Sequence, residues 1–137
     1  MFEGAVTYFD SEHSPKGVQT KGIEHALPMS QAWTPVQGSC TGQKCSIQAY
    51  LADFQTNNNW QSLDFGMSDN FYYVYQFQHP CNGNSCTDGS VMYCQASGDL
   101  DGDTEYSYFE RAGQIVSDAQ GWGLFGSAGI YKDHPLE

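Results

Sequence analysis

The stretch GDLDGDTEYSYFER, residues 98–111, sets oxygen-bearing side chains at regular intervals. Counted from Asp99, the aspartates Asp99, Asp101 and Asp103 take positions 1, 3 and 5. Glu105 stands at 7, Ser107 at 9 and Glu110 at 12. This is the ligand spacing of a twelve-residue calcium loop. A hard cation takes roughly six to eight oxygens, so alternating carboxylates can curl round it while a distal glutamate closes the shell. Tyr106 fills position 8, usually apolar in such loops. One position departs: the sharp-turn glycine expected at 6 is Thr104, and Gly102 sits at 4 instead. The preceding QASG reads as a strand end, so a helix–loop–helix is not expected, and Glu110 need not swing inward. The rival reading is a solvated acidic turn, because Asp and Gly form turns anyway. Crowded carboxylates, however, disfavour one another unless a cation neutralises them. An extracellular loop of this kind binds calcium at about 10⁻⁴ to 10⁻³ M.

The cysteines offer a second chemistry. Cys40 and Cys45 bracket CTGQKC, and Cys81 and Cys86 bracket CNGNSC, each with a Gly that lets the chain reverse tightly. Two small disulfide loops in an exported protein are the preferred reading. Zinc is the rival, at the edge of its usual ligand spacing and without a clear second half-site. Cys94 alternates with Met92 and Ala96 in an apolar run, which reads as a buried free thiol. Its pairing with Cys40 or Cys86 stays open, since sequence does not fix connectivity.

Other motifs fail on context. GWGLFG matches a dinucleotide fingerprint, yet only 11 residues follow Gly126, too few for the acidic residue about 20 positions on. GSCTG resembles a nucleophile elbow, but Cys45 is a ready disulfide partner for Cys40. His13, His25, His79 and His134 are scattered along the chain and read as surface residues. No carboxylate spacing points to glycosidase chemistry, and no enzyme is expected. The net charge of −11, with five Lys plus Arg, repels phosphate backbones and anionic membranes. Neither nucleic acid nor a lipid surface is therefore an expected partner, and cations are.

The 137 residues suit a single domain. Nine Tyr, eight Phe and three Trp supply core area and argue against disorder. Phe2, Ala5, Val6 and Phe9 form one helical stripe with no capping residue before it. The helix is expected to end near Glu12 or His13 and to be the remainder of a longer one. Residues 14–58 read as irregular, with a weak strand patch at Cys45–Leu51 and a turn at Asn57–Asn59. Leu63, Phe65 and Met67 then alternate, GMSDN turns, and FYYVYQF follows, which reads as a hairpin. The aromatic run is either core or a sugar-stacking face, core being commoner. Val91–Ala96 and Tyr106–Phe109 read as further strands, and the tail 113–137 as Gly-rich and aromatic. The expected class is α+β: a helix, a long loop, then an antiparallel meander.

Three segments together resemble type IV pilins. FEGAVTYFDSE is similar to the end of the pilin helix, residues 59–77 to a Trp-x-x-Leu-x-Phe segment with its Tyr-rich strand, and residues 96–111 to an acidic GDLDGDG segment. The resemblance implies a pilin fold, an N-terminal α-helix packed on a four-stranded antiparallel β-sheet with disulfide-bearing loops. It implies one globular domain over 1–137: helix remainder 1–13, αβ loop 14–58, sheet 59–112 with the acidic loop 98–110, and C-terminal segment 113–137. It also implies a structural subunit of an extracellular, cell-surface pilus for adhesion or motility. Its partners would be other pilin subunits through a missing apolar helix half and the pilus assembly machinery. Membrane contact would come only through that segment. Thr104 in place of the usual Gly weakens the calcium expectation, and the extra cysteines suggest a minor pilin. A type II secretion pseudopilin is the alternative, and a secreted calcium- or carbohydrate-binding module a further one.

Overall fold

The computed structural model describes residues 1–11, 25–81 and 86–135. The elements are α1 (Phe2–Phe9), β1 (Gln31–Thr34), α2 (Ile47–Gln55), α3 (Asn58–Ser62), β2 (Val74–Gln78), β3 (Val91–Gly98), β4 (Ser107–Asp118), β5 (Gly121–Gly126) and β6 (Tyr131–Asp133). The expected fold class needs correction. The architecture is a six-stranded antiparallel sheet with short helices, in the order β1-β2-β3-β4-β5, with β6 also on β4. No large N-terminal helix packs on a four-stranded sheet: α1 has eight residues and stops at Phe9, with Asp10 as its C-cap. The expected end at Glu12 or His13 lies outside the described residues. Among these, no helix is long and apolar enough to cross a membrane.

The helices lie on one face of the sheet. Ala5 and Phe9 of α1 are fully buried, and Phe2 spreads its ring under the Arg111 guanidinium at 4.0 Å. Trp60, Phe54 and Leu63 from α2, α3 and the chain just beyond are buried against Phe71, Phe77, Met92 and Ile115 from the sheet side. Most of FYYVYQF therefore serves this core, and only Val74 onward is strand.

Three local readings are overturned for identifiable reasons. Cys45–Leu51 is largely α2, whose first free amide, Ile47 N–H, donates to the distant Asn70 Oδ1 at 3.0 Å. The Asn57–Asn59 turn is a helix start, with Asn57 Oδ1 accepting from the Asn59 and Trp60 amides at 2.9 and 3.3 Å. The alternation of Leu63 and Phe65 reflects a helix end folding back: Phe65 N–H donates to Trp60 O at 2.9 Å. The tail forms β5 and β6, which line one edge of β4. Ser127 donates to Ala112 O, and the next three residues, 128–130, stand opposite Arg111 alone before Tyr131 meets Glu110. That is an edge bulge.

Antiparallel register sets the second face. Gln76 of β2 pairs with Gln95 of β3, Gln95 with Glu110 of β4, and Glu110 with Tyr131 of β6. These four share the face away from the helices, because Cys94 and Arg111, one residue off, share the helix side.

Candidate functional site

The β3–β4 hairpin presents the acidic loop. Gly98 pairs with Ser107 to close it, and Asp99, 1 % exposed, organises it. Asp99 Oδ1 accepts the Gly102 amide at 2.7 Å, and its Oδ2 accepts the Thr104 amide at 3.2 Å. Asp101 Oδ1 accepts the Asp103 amide and Asp103 Oδ1 the Glu105 amide, at 3.2 and 2.8 Å. These bonds wind the chain so that one oxygen each of Asp99, Asp101 and Asp103 lies within 4.8 Å of the others. Oxygens sharing one calcium at about 2.3–2.6 Å lie within roughly 5 Å of one another, so the spacing fits a single ion. Each carboxylate retains lone pairs beyond its backbone bond.

Thr104 answers the missing-glycine question. Its φ of 77° is left-handed, the conformation a glycine at that position would supply. The loop takes the required turn despite a β-branched residue, at a steric cost on the order of 1–2 kcal/mol.

The loop is buttressed by the first disulfide. Gly42, between Cys40 and Cys45, donates its amide to Asp99 O at 2.9 Å. Gly42 and Gly102 both have positive φ, and a Cβ on Gly42 would lie 3.3 Å from Gly102 Cα. Among the described residues, no lysine or arginine forms an ion pair with the loop.

The remaining expected ligands stand apart. Glu105 is exposed and outside the three-carboxylate group. Ser107 is buried and donates its hydroxyl to Gly98 O at 2.9 Å. Glu110 lies out along β4, accepting from Gln95 Nε2 at 2.8 Å and from the Tyr108 hydroxyl at 2.9 Å. A distal ligand at position 12 needs a chain that turns back, and here the chain continues as a straight strand.

Cys40–Cys45 and Cys81–Cys86 are disulfides, and Cys94 is free and buried. The interior of the second loop, residues 82–85, lies outside the described residues. Burial pushes the Cys94 thiol up to about 11. His79, Cys81 and Cys86 also gather ligand atoms within 4.8 Å, but the disulfide leaves no thiolate to bind zinc.

His79 was not singled out by spacing, and the fold gives it a role. Its Nδ1 accepts the Cys81 amide at 3.2 Å, so Nε2 carries the proton and donates to Pro28 O at 2.6 Å. Its backbone N–H and C=O both meet Ser30 Oγ. Burial lowers the His79 pKa, with the Pro28 bond opposing it. The unfolded chain therefore takes up this proton at higher pH than the folded one. The stabilising contribution is present above about pH 6.5 and is lost as pH falls through the lower folded value. Denaturant titrations between about pH 8 and pH 5 should show stability falling below roughly pH 6.5, and a shallower fall in His79→Gln. Identical pH profiles for the two proteins would refute this role.

No protein-family model matches the chain, and no curated protein or solved structure does so.

Proposed function

We propose that this protein is a non-catalytic extracellular module that binds calcium through Asp99, Asp101 and Asp103. The observation that carries the reading is the convergence of those three carboxylates within 4.8 Å, one of them buried, with no cationic side chain paired to them among the described residues. An ion there removes their mutual repulsion and stiffens the β3–β4 hairpin. Through Gly42 it also ties that hairpin to the Cys40–Cys45 loop. The two disulfides favour an oxidising compartment.

Calorimetric titration tests the reading. One calcium site is expected, and at a hundredfold excess over the dissociation constant calcium should raise stability by about 2.7 kcal/mol. Asp101 is exposed and Asn keeps the oxygen that accepts the Asp103 amide, so Asp101→Asn should leave the calcium-free protein at least as stable as the parent, by relieving carboxylate repulsion, and abolish that gain. Absence of heat up to about 10 mM calcium, well above the range for such loops, would remove the site.

A second reading is a subunit of a type IV pilus or secretion pseudopilus. It draws on the three pilin-like segments and on the apolar stripe that buries Ala5 and Phe9. The six-stranded sheet with its short α1 gives it no architectural support. A prepilin leader encoded upstream would favour it, and an ordinary cleavable signal sequence would exclude it.

A further inference from the structure

The sheet face away from the helices has an unusual composition. Its central row runs Gln76, Gln95, Glu110 and Tyr131 across four strands. Trp33 from β1 and Tyr108 from β4 meet edge-on at 6.5 Å, a contact that spans β2 and β3. Tyr108 meets Tyr131 at 6.4 Å, so three rings form a continuous track along this row. Gln78 and Tyr93 pair in the next row and line a shallow depression with Ser30, His79, Gly89 and Ser90.

The polar groups beneath the rings are fixed but incompletely used. Gln95 is 7 % exposed, and its Nε2 donates to Glu110 Oε2. The Tyr108 hydroxyl donates to the same oxygen. Reversing the Gln95 amide would set its oxygen against the carboxylate, so the orientation is determined by chemistry. Gln95 Oε1 is then buried with no hydrogen-bond partner among the described residues. A buried acceptor left without a donor costs about 1–3 kcal/mol, and such groups are rare enough to require a cause. Glu110 Oε1 is also left over, because both bonds fall on Oε2. Gln95 Oε1 and Glu110 Oε1 are thus acceptors without a donor among the described residues.

We propose that this face binds a neutral hexose oligosaccharide. Sugar hydroxyls supply the missing donor to Glu110 Oε1, the buried Gln95 amide holds that carboxylate in place, and the apolar C–H faces of the sugar rings lie on Trp33, Tyr108 and Tyr131. A protein partner fits less well. Protein interfaces place apolar groups at the centre and polar groups at the rim, whereas here the amides and the carboxylate are central and the rings lie along them. An anionic glycan is disfavoured because, among the described residues, no lysine or arginine lies in this row: Arg111 and Lys132 fall on the helix-side register. The site is separate from the acidic loop and does not depend on calcium there.

The test uses the whole chain with calcium chelated, and cellohexaose, maltohexaose and mannohexaose as probes. Calorimetry reads affinity, and amide NMR reads location. At least one probe should bind, shifting the Gln95 side-chain amide. Trp33→Ala and Tyr131→Ala should each weaken binding about tenfold. Tyr131 is 59 % exposed, so its removal leaves the fold intact and keeps the test decisive if Trp33→Ala is poorly folded. Asp64→Asn, on the helix side, should bind as the parent does. No binding of any probe at about 10 mM, an affinity too weak to be specific, overturns the proposal. Binding that survives loss of Tyr131 and shifts residues elsewhere overturns it as well.

Discussion

Trp60→Ala should lower the free energy of unfolding by about 3–5 kcal/mol, the range for deleting a buried aromatic side chain. Trp60 is fully buried, with the rings of Phe65 and Phe54 at 5.2 and 6.1 Å. Phe65 in turn lies 5.0 Å from Tyr75, and Phe54 lies 5.7 Å from Phe71, so the deletion opens the junction of helices and sheet. Trp60→Phe should cost distinctly less. It keeps a ring and removes the indole N–H, a buried donor without an acceptor among the described residues. Urea denaturation of the two variants beside the parent measures both effects. A loss below about 1 kcal/mol for Trp60→Ala, well under the cavity range, would show that this cluster is not the centre of the core.

Gly4→Ala comes next in size and carries an inverted sign. In an exposed helix interior, Gly to Ala stabilises by about 1 kcal/mol. In α1 the added Cβ would lie 1.7 Å from Leu63 O and 2.4 Å from Leu63 C. Both obstructing atoms are backbone at the end of α3, so no rotamer relieves the clash. The helix must lift, exposing Ala5 and Phe9. The expected loss is about 3 kcal/mol, the upper part of the overpacking range. Hydrogen exchange of the α1 amides should accelerate alongside. Gly66→Ala is the control, since nothing lies within 4 Å of a Cβ there. Equal effects at the two positions would rule out backbone docking at Gly4.

How legible these features were in the sequence depended on the range of the interactions behind them. Local ones were read well. The cysteines five apart formed the two loops, and the acidic turn fell between Val91–Gly98 and Ser107–Asp118. Cys94, set among apolar neighbours, lies inside. Features decided at long range were not read. The N-cap of α2, Ser46, makes no side-chain cap bond, and the Ile47 amide is satisfied instead by Asn70, more than twenty positions away. In GWGLFG the glycines hid β5, because its pairing comes from β4 and not from side-chain propensity. The roles expected for Ser107 and Glu110 presumed a chain that folds back after the turn, whereas β4 runs on for twelve residues. The Gln76–Gln95–Glu110–Tyr131 row draws on four strands, and only register brings its members together.

The sequestration of Cys94 bears on how this protein acquires its covalent structure. Thiolate is the species that attacks a disulfide, and a thiol pushed up to about 11 and walled in by the sheet supplies almost none at neutral pH. Once the helices have packed over β3, the odd sulfur is silenced and the two short rings are safe from shuffling. Before that moment all five sulfurs compete. Oxidative maturation thus becomes a race between closure of the helix-side core and thiol exchange.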